Sequence, residues 1–123
     1  MKILVAIGAG SFIGGVFRYL LSLFIQTKHL SSFPFGTFSV NLLGCFLIGL
    51  VFGLSEKGNI SPEWRLFLAT GILGGFTTFS AFSLESINLM RSGQLNYAMA
   101  YIGASVLLGL LATFAGIYLI RFF

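Results

Sequence analysis

Four long apolar runs limit this chain more than any other feature, because each is about as long as a membrane is thick. The last, Tyr97 to Ile120, holds no charged residue, and none lies between Leu66 and Leu84. A helix that crosses hydrocarbon needs about 20 predominantly apolar residues. The first run spans Ile3 to Gln26 and is interrupted by Arg18, and the second lies within Phe35 to Leu54. The third spans Trp64 to Met90, and the fourth is the charge-free run. Between them, "TKHLSSFP", "SEKGNISPE" and "RSGQLN" supply the charges and turn formers of loops. Ser61-Pro62-Glu63 reads as a helix start, with a capping hydroxyl, a proline and an acid in order. Met1-Lys2 ahead of an apolar run resembles a signal peptide, but the run is long enough to span and reads as an uncleaved first helix. The expected fold is an all-α membrane protein, one four-helix transmembrane domain over residues 1–123 with no separate soluble unit.

Charge narrows the function. Only 8% of residues are charged, against roughly 25% in soluble domains, and the acids are Glu56, Glu63 and Glu85 alone. The seven Lys and Arg are scattered, which suits loops beside anionic headgroups and not a phosphate-binding surface. One cysteine, Cys45, and one histidine, His29, make neither a disulfide framework nor a metal cluster. No nucleophile, base and orienting group can be assembled, so an enzyme is not expected. Lys2, Lys57, Arg65 and Arg121 fall on one side of the membrane; Lys28 and Arg91 fall on the other, with Arg18 if it snorkels. So weak a bias permits insertion in both orientations, and with it an antiparallel dual-topology homodimer.

Small and polar residues recur at helical spacing. Gly8, Ser11, Gly15, Arg18 and Ser22 share a face of the first helix, and Thr37, Asn41 and Gly44 a face of the second, beside Cys45, Gly49 and Gly53. Tyr97, Tyr101, Ser105, Gly109 and Thr113 recur along the fourth. Close helix packing accounts for Gly8, Gly15, Gly49, Gly53 and Gly109, and bonding to their own backbone accounts for Ser11, Ser22 and Thr113. Arg18, Asn41, Glu85 and the cluster Thr77, Thr78, Ser80 and Ser83 are not explained that way. A charge at the depth of Arg18 costs about 3 kcal/mol near the bilayer centre unless it finds partners. Two roles stand open for it: raising the local anion concentration at an interface, or bonding loop carbonyls to hold the fold. Asn41 is either interhelical glue or a donor to a permeating species. Glu85 falls about a turn after the break, near a pore mouth or loop, where a solvated or paired surface role is the plainer reading.

The densest signal is Gly74 to Phe82, "GGFTTFSAF". Gly74-Gly75 weakens a helix by roughly 1 kcal/mol per glycine relative to alanine. Non-helical backbone at membrane depth survives only when it is covered by protein or lines a cavity. Freed carbonyls suit a small cation, whereas free N–H groups and half-helix starts suit an anion. Hydroxyls and the electropositive edges of Phe79 and Phe82 would stabilise an anion mildly without trapping it. The residues alone therefore point to a small polar species, an ion, crossing near Asn41 and residues 74–83. The basic bias and scarce intramembrane acids favour an anion.

"GGVFRY" (Gly14 to Tyr19), "GTFSVNLLGCFLIG" (Gly36 to Gly49) and "GILGGFTTFSAF" (Gly71 to Phe82) together resemble the fluoride channel family known as Fluc or CrcB. The resemblance covers nearly the whole chain. It implies passive fluoride export across the bacterial plasma (inner) membrane by an antiparallel homodimer with two pores. It implies a structural Na+ at the dimer centre, held by the carbonyls of Gly74 and Thr77. It assigns the pore to Asn41, Phe79 and Phe82, with Thr78, Ser80, Tyr101 and Ser105 as a polar track and Arg18 at the vestibule. Ala81 stands where the family pattern often has threonine. The nearest rival is a small multidrug-resistance-type dual-topology transporter, which needs a titratable acid in its chamber. The first helix has none, and Glu85 is the only acid near any core.

Overall fold

The computed structural model describes all residues, Met1–Phe123, and is helical throughout. Helix α1 runs Lys2–Lys28 and α2 Phe35–Glu56. The third span is composite: α3 Pro62–Arg65, a wide π-helical stretch Leu66–Leu73, α4 Gly74–Phe76 and, beyond an extended pair, α5 Phe79–Arg91. Helix α6, Leu95–Arg121, completes the chain. The result is 4 membrane-length spans, as the apolar runs require. The start at Ser61 is as read: its hydroxyl accepts from Trp64 N–H at 3.3 Å, with Pro62 opening the helix. Helices α2 and α5 both end just before a glycine at positive φ, Gly58 (74°) and Gly93 (80°), a backbone region in which a side chain would be strained.

Leu, Val, Phe and Met side chains cover the outside, and only 19 of 123 residues are buried. Lipid replaces the usual need for an apolar core, so helices associate through small residues and polar bonds instead. Between α2 and α6 a β-carbon added at Gly116 would run into the Phe46 carbonyl, and one at Gly49 into that of Thr113. Thr113 Oγ1 also donates across this seam to the Cys45 carbonyl at 3.0 Å, beside its bond to Gly109 in its own helix. Gly10 and Gly14 of α1 lie directly on the backbone of the π-helical stretch and α4. Ser11 bonds that stretch at Gly71 O (3.4 Å) and not its own helix. Gly8 and Gly15 differ from expectation: nothing lies within 4 Å of a β-carbon placed at either. They face away from the bundle, so within one chain they pack against no helix. Arg121 and Glu56 pair at 3.8 Å, which joins the ends of α6 and α2 on the side where the basic residues were counted.

The third span is broken near its middle, as the sequence suggested, but within a narrower segment. The sequence reading spread the broken backbone over Gly74 to Thr77, yet Gly74–Phe76 is helical and the backbone opens at Thr77 (φ −91°, ψ 158°) and Thr78 (φ −150°, ψ 120°). Gly75 serves contact instead, since a β-carbon there would sit 2.5 Å from the Ser11 carbonyl oxygen and 3.0 Å from Ser11 Cα. The π-helical stretch ahead of it carried no sequence signal. Gly74 N–H reaches back to Ala69 O, one residue further than an α-helix allows.

Candidate functional site: a clamped helix break

The site is built by one face of α2. Thr37, Asn41 and Gly44 fall at helical spacing and all three face the third span. Asn41 meets the extended pair with both ends of its amide: Oδ1 accepts from Thr78 N–H (2.9 Å) and Nδ2 donates to the Thr78 carbonyl (3.1 Å). Gly44 leaves room for the Thr77 methyl, which a β-carbon at position 44 would strike. Thr37 Oγ1 donates to Glu85 Oε2 at 3.0 Å, and Tyr101 OH donates to the other carboxylate oxygen at 3.3 Å.

This geometry explains why the break is stable. In a continuous helix Thr78 N–H would bond the Gly74 carbonyl, and here Asn41 takes it. Ala81 N–H would bond the Thr77 carbonyl, and instead it bonds Thr78 Oγ1 at 3.1 Å, capping α5. Each buried polar group left unpaired would cost about 1–3 kcal/mol, so a side-chain amide and a hydroxyl replace the lost helical bonds. The residue at 81 contributes through its backbone, and alanine does that as well as threonine. On the far side of the break, Arg18 Nε donates to the Gly75 carbonyl at 3.4 Å. Of the two roles open to Arg18, the geometry displays the fold-holding one, though the carbonyl it bonds lies in α4 and not in a loop.

Asn41, Gly74, Thr77, Thr78, Phe79, Phe82 and Ser105 line one cavity of about 370 Å³. Ser80 connects to it through Thr78, hydroxyl to hydroxyl at 3.2 Å. Ser105 Oγ is the one buried side-chain oxygen or nitrogen without a hydrogen-bond partner, and such an atom requires an explanation. Asn41 has two amide protons and uses one on Thr78, so it too has a donor to spare. Phe79 and Phe82 lie 5.7 Å apart, centroid to centroid. Phe79 is 79% exposed on the open side of the cavity. Phe82 leans on Tyr101 at 5.0 Å. Tyr101 is fully buried behind Phe82 and is not among the lining residues. Phe76, which had no reading beyond packing, is buried where α1, α2 and α4 meet. The sequence reading missed the Thr37–Glu85–Tyr101 bridge. Its signal was available, because an ionisable residue within a span is expected to have a named partner and Thr37 had been placed on the face of Asn41.

A family model described as "CrcB-like protein, Camphor Resistance (CrcB)" matches residues 5–117. The chain belongs to the CrcB family. Among its relatives, a fluoride-specific ion channel FluC of Flavobacterium psychrophilum is 48% identical over 122 residues, 98% of each chain. One of Rhizobium meliloti is 49% identical over the same length and coverage. One of Phocaeicola vulgatus is 45% identical over 119 residues, 97% of this chain and 98% of the relative. This CrcB chain is thus a multi-pass membrane protein whose relatives are bacterial and carry the names of channels, not of enzymes. Glu85, the acid that the drug-transporter reading needs, lines a separate polar cavity with Ser22, Gln26 and Asn88. Both carboxylate oxygens of Glu85 are engaged by hydroxyls, and Glu85 does not line the cavity of Asn41, Phe79 and Phe82.

Proposed function

We propose that this CrcB protein is a fluoride-selective channel that exports the anion passively across the bacterial inner membrane. The cavity at the break supports this reading most strongly, since it joins a spare Asn41 amide proton, the unpartnered Ser105 hydroxyl and two phenylalanine rings. No Lys, Arg, Asp or Glu lines it. A small, strongly hydrated anion needs its water replaced by donors, and neutral donors do so without a charge that would hold it too tightly. Helix α5 begins at the cavity, and its positive dipole end favours an anion there. Weak acid enters a cell as neutral HF and dissociates inside. The membrane potential then drives the anion out with about 2.3 kcal/mol per charge for each 100 mV.

The active form in this reading is an antiparallel homodimer with a central sodium ion. Gly74, Phe79 and Ser80 are exposed beside the extended pair, and polar backbone at membrane depth requires cover from protein or water. A second copy supplies that cover. The Gly74 and Thr77 carbonyls, deprived of their helical donors, are hard oxygen ligands of the kind unwound helices offer to Na+. Two such oxygens are too few to enclose a cation, so the ion needs both chains, which together offer four. Bound there, sodium would satisfy the freed carbonyls and hold the copies together.

Purified protein in vesicles loaded with potassium fluoride is expected to release fluoride rapidly once a potassium ionophore is added, and to retain chloride. Release no faster than from empty vesicles rejects the channel reading. In detergent with sodium, light scattering is expected to give the mass of two chains, and sodium removal to lower the thermal stability. A single-chain mass, or stability indifferent to sodium, removes the dimer or the ion respectively.

A further inference from the structure

The path to the rings of the cavity also passes through a loop. Between α1 and α2 the chain runs without regular structure from His29 to Pro34, and Gln26 is the only α1 side chain that hydrogen-bonds to it. Gln26 Oε1 accepts from Gly36 N–H at 3.0 Å. Its Nε2 donates to the Ser31 and Phe33 carbonyls at 3.1 and 3.2 Å, and more weakly to His29 O at 3.5 Å. The amide orientation is forced, because turning it over would aim an oxygen at three carbonyls.

What this clasp holds in place is the ring of Phe33. Phe33 packs on Tyr101 at 5.5 Å, nearly edge-on, and also on Phe38 at 5.8 Å and Tyr97 at 6.0 Å. Tyr101 is the fully buried ring that supports Phe82 at 5.0 Å and donates to Glu85. A continuous series of contacts therefore runs from Gln26 through Phe33 and Tyr101 to the ring lining the cavity. Packed aromatic rings move together because interiors of this kind leave little free space.

We propose that Gln26 is a positioning residue for permeation, acting through Phe33 to hold Tyr101 and hence Phe82 in register. The proposal rests on the fluoride-channel reading for its flux readout. It also has a readout independent of transport. With 3-fluorotyrosine in place of Tyr101, Gln26→Met is expected to shift or broaden the 19F resonance. In vesicles, Gln26→Met and Phe33→Ala are each expected to slow fluoride release by about tenfold, the scale of a sub-ångström displacement at a working site. The double variant is expected to be no slower than Phe33→Ala alone, since both changes break the same series. An unmoved 19F signal overturns the proposal, as does wild-type flux in Gln26→Met or losses that multiply in the double variant. If the wild type passes no fluoride while Gln26→Met still moves the 19F signal, the channel reading is rejected and the positioning of Tyr101 by Gln26 stands.

Discussion

In the vesicle assay, Asn41→Asp is expected to pass fluoride roughly a thousandfold more slowly than the wild type. The substitution preserves shape and keeps an acceptor for Thr78 N–H, but it removes the donor to the Thr78 carbonyl and places a negative charge on the cavity wall. At an effective dielectric of about 20, two like charges about 4 Å apart repel by about 4 kcal/mol, nearly three powers of ten. Asn41→Ala separates the two effects. It adds no charge but leaves the Thr78 N–H without its partner, at about 1–3 kcal/mol, so it should lower thermal stability as well as flux. If Asn41→Asp conducts at the wild-type rate, Asn41 is a clamp and not part of the path. If Asn41→Ala is as stable as the wild type, the clamp does not hold the break.

Phe79→Ile and Phe82→Ile are each expected to cut fluoride release by at least about tenfold, the loss of roughly 1.4 kcal/mol of ring-edge stabilisation. The two substitutions differ in what else they disturb. Phe82 supports the buried Tyr101 ring, so its loss also loosens the hydroxyl that holds Glu85. Phe79 is mostly exposed, and its only ring neighbour is Phe82. Phe79→Ile is therefore the cleaner test, with assembly and stability expected to stay as they were. Full flux in Phe79→Ile would take the rings out of the mechanism.

Arg18 shows how far a sequence reading reaches and where it stops. Its presence inside a span was a sufficient reason to demand a partner, because an isolated charge in hydrocarbon is costly. The identity of that partner, the Gly75 carbonyl, depended on α1 lying against the third span. The glycine pair gives a similar lesson. Low helix propensity marked positions 74 and 75 as the weak point, yet Gly75 packs closely on Ser11 within a helical turn, and the backbone opens at Thr77–Thr78, where Asn41 and the Thr78 hydroxyl replace the lost bonds. Propensity at these positions amounts to about 1 kcal/mol per residue, less than the pair of hydrogen bonds that competes with it.

By itself the sequence determined the four spans, their order and the faces on which Thr37, Asn41, Gly44, Tyr101 and Ser105 lie. These follow from two local rules: hydrocarbon admits only satisfied backbone, and an α-helix repeats every 3.6 residues. Only the tertiary structure decided which of those faces meet. The bidentate grip of Asn41 on Thr78, the two hydroxyls on Glu85 and the clasp of Gln26 on the loop all join residues from different elements or across a turn. Directional bonds of this kind depend on a few tenths of an ångström between helices, and that spacing is set by small residues packed across the whole bundle.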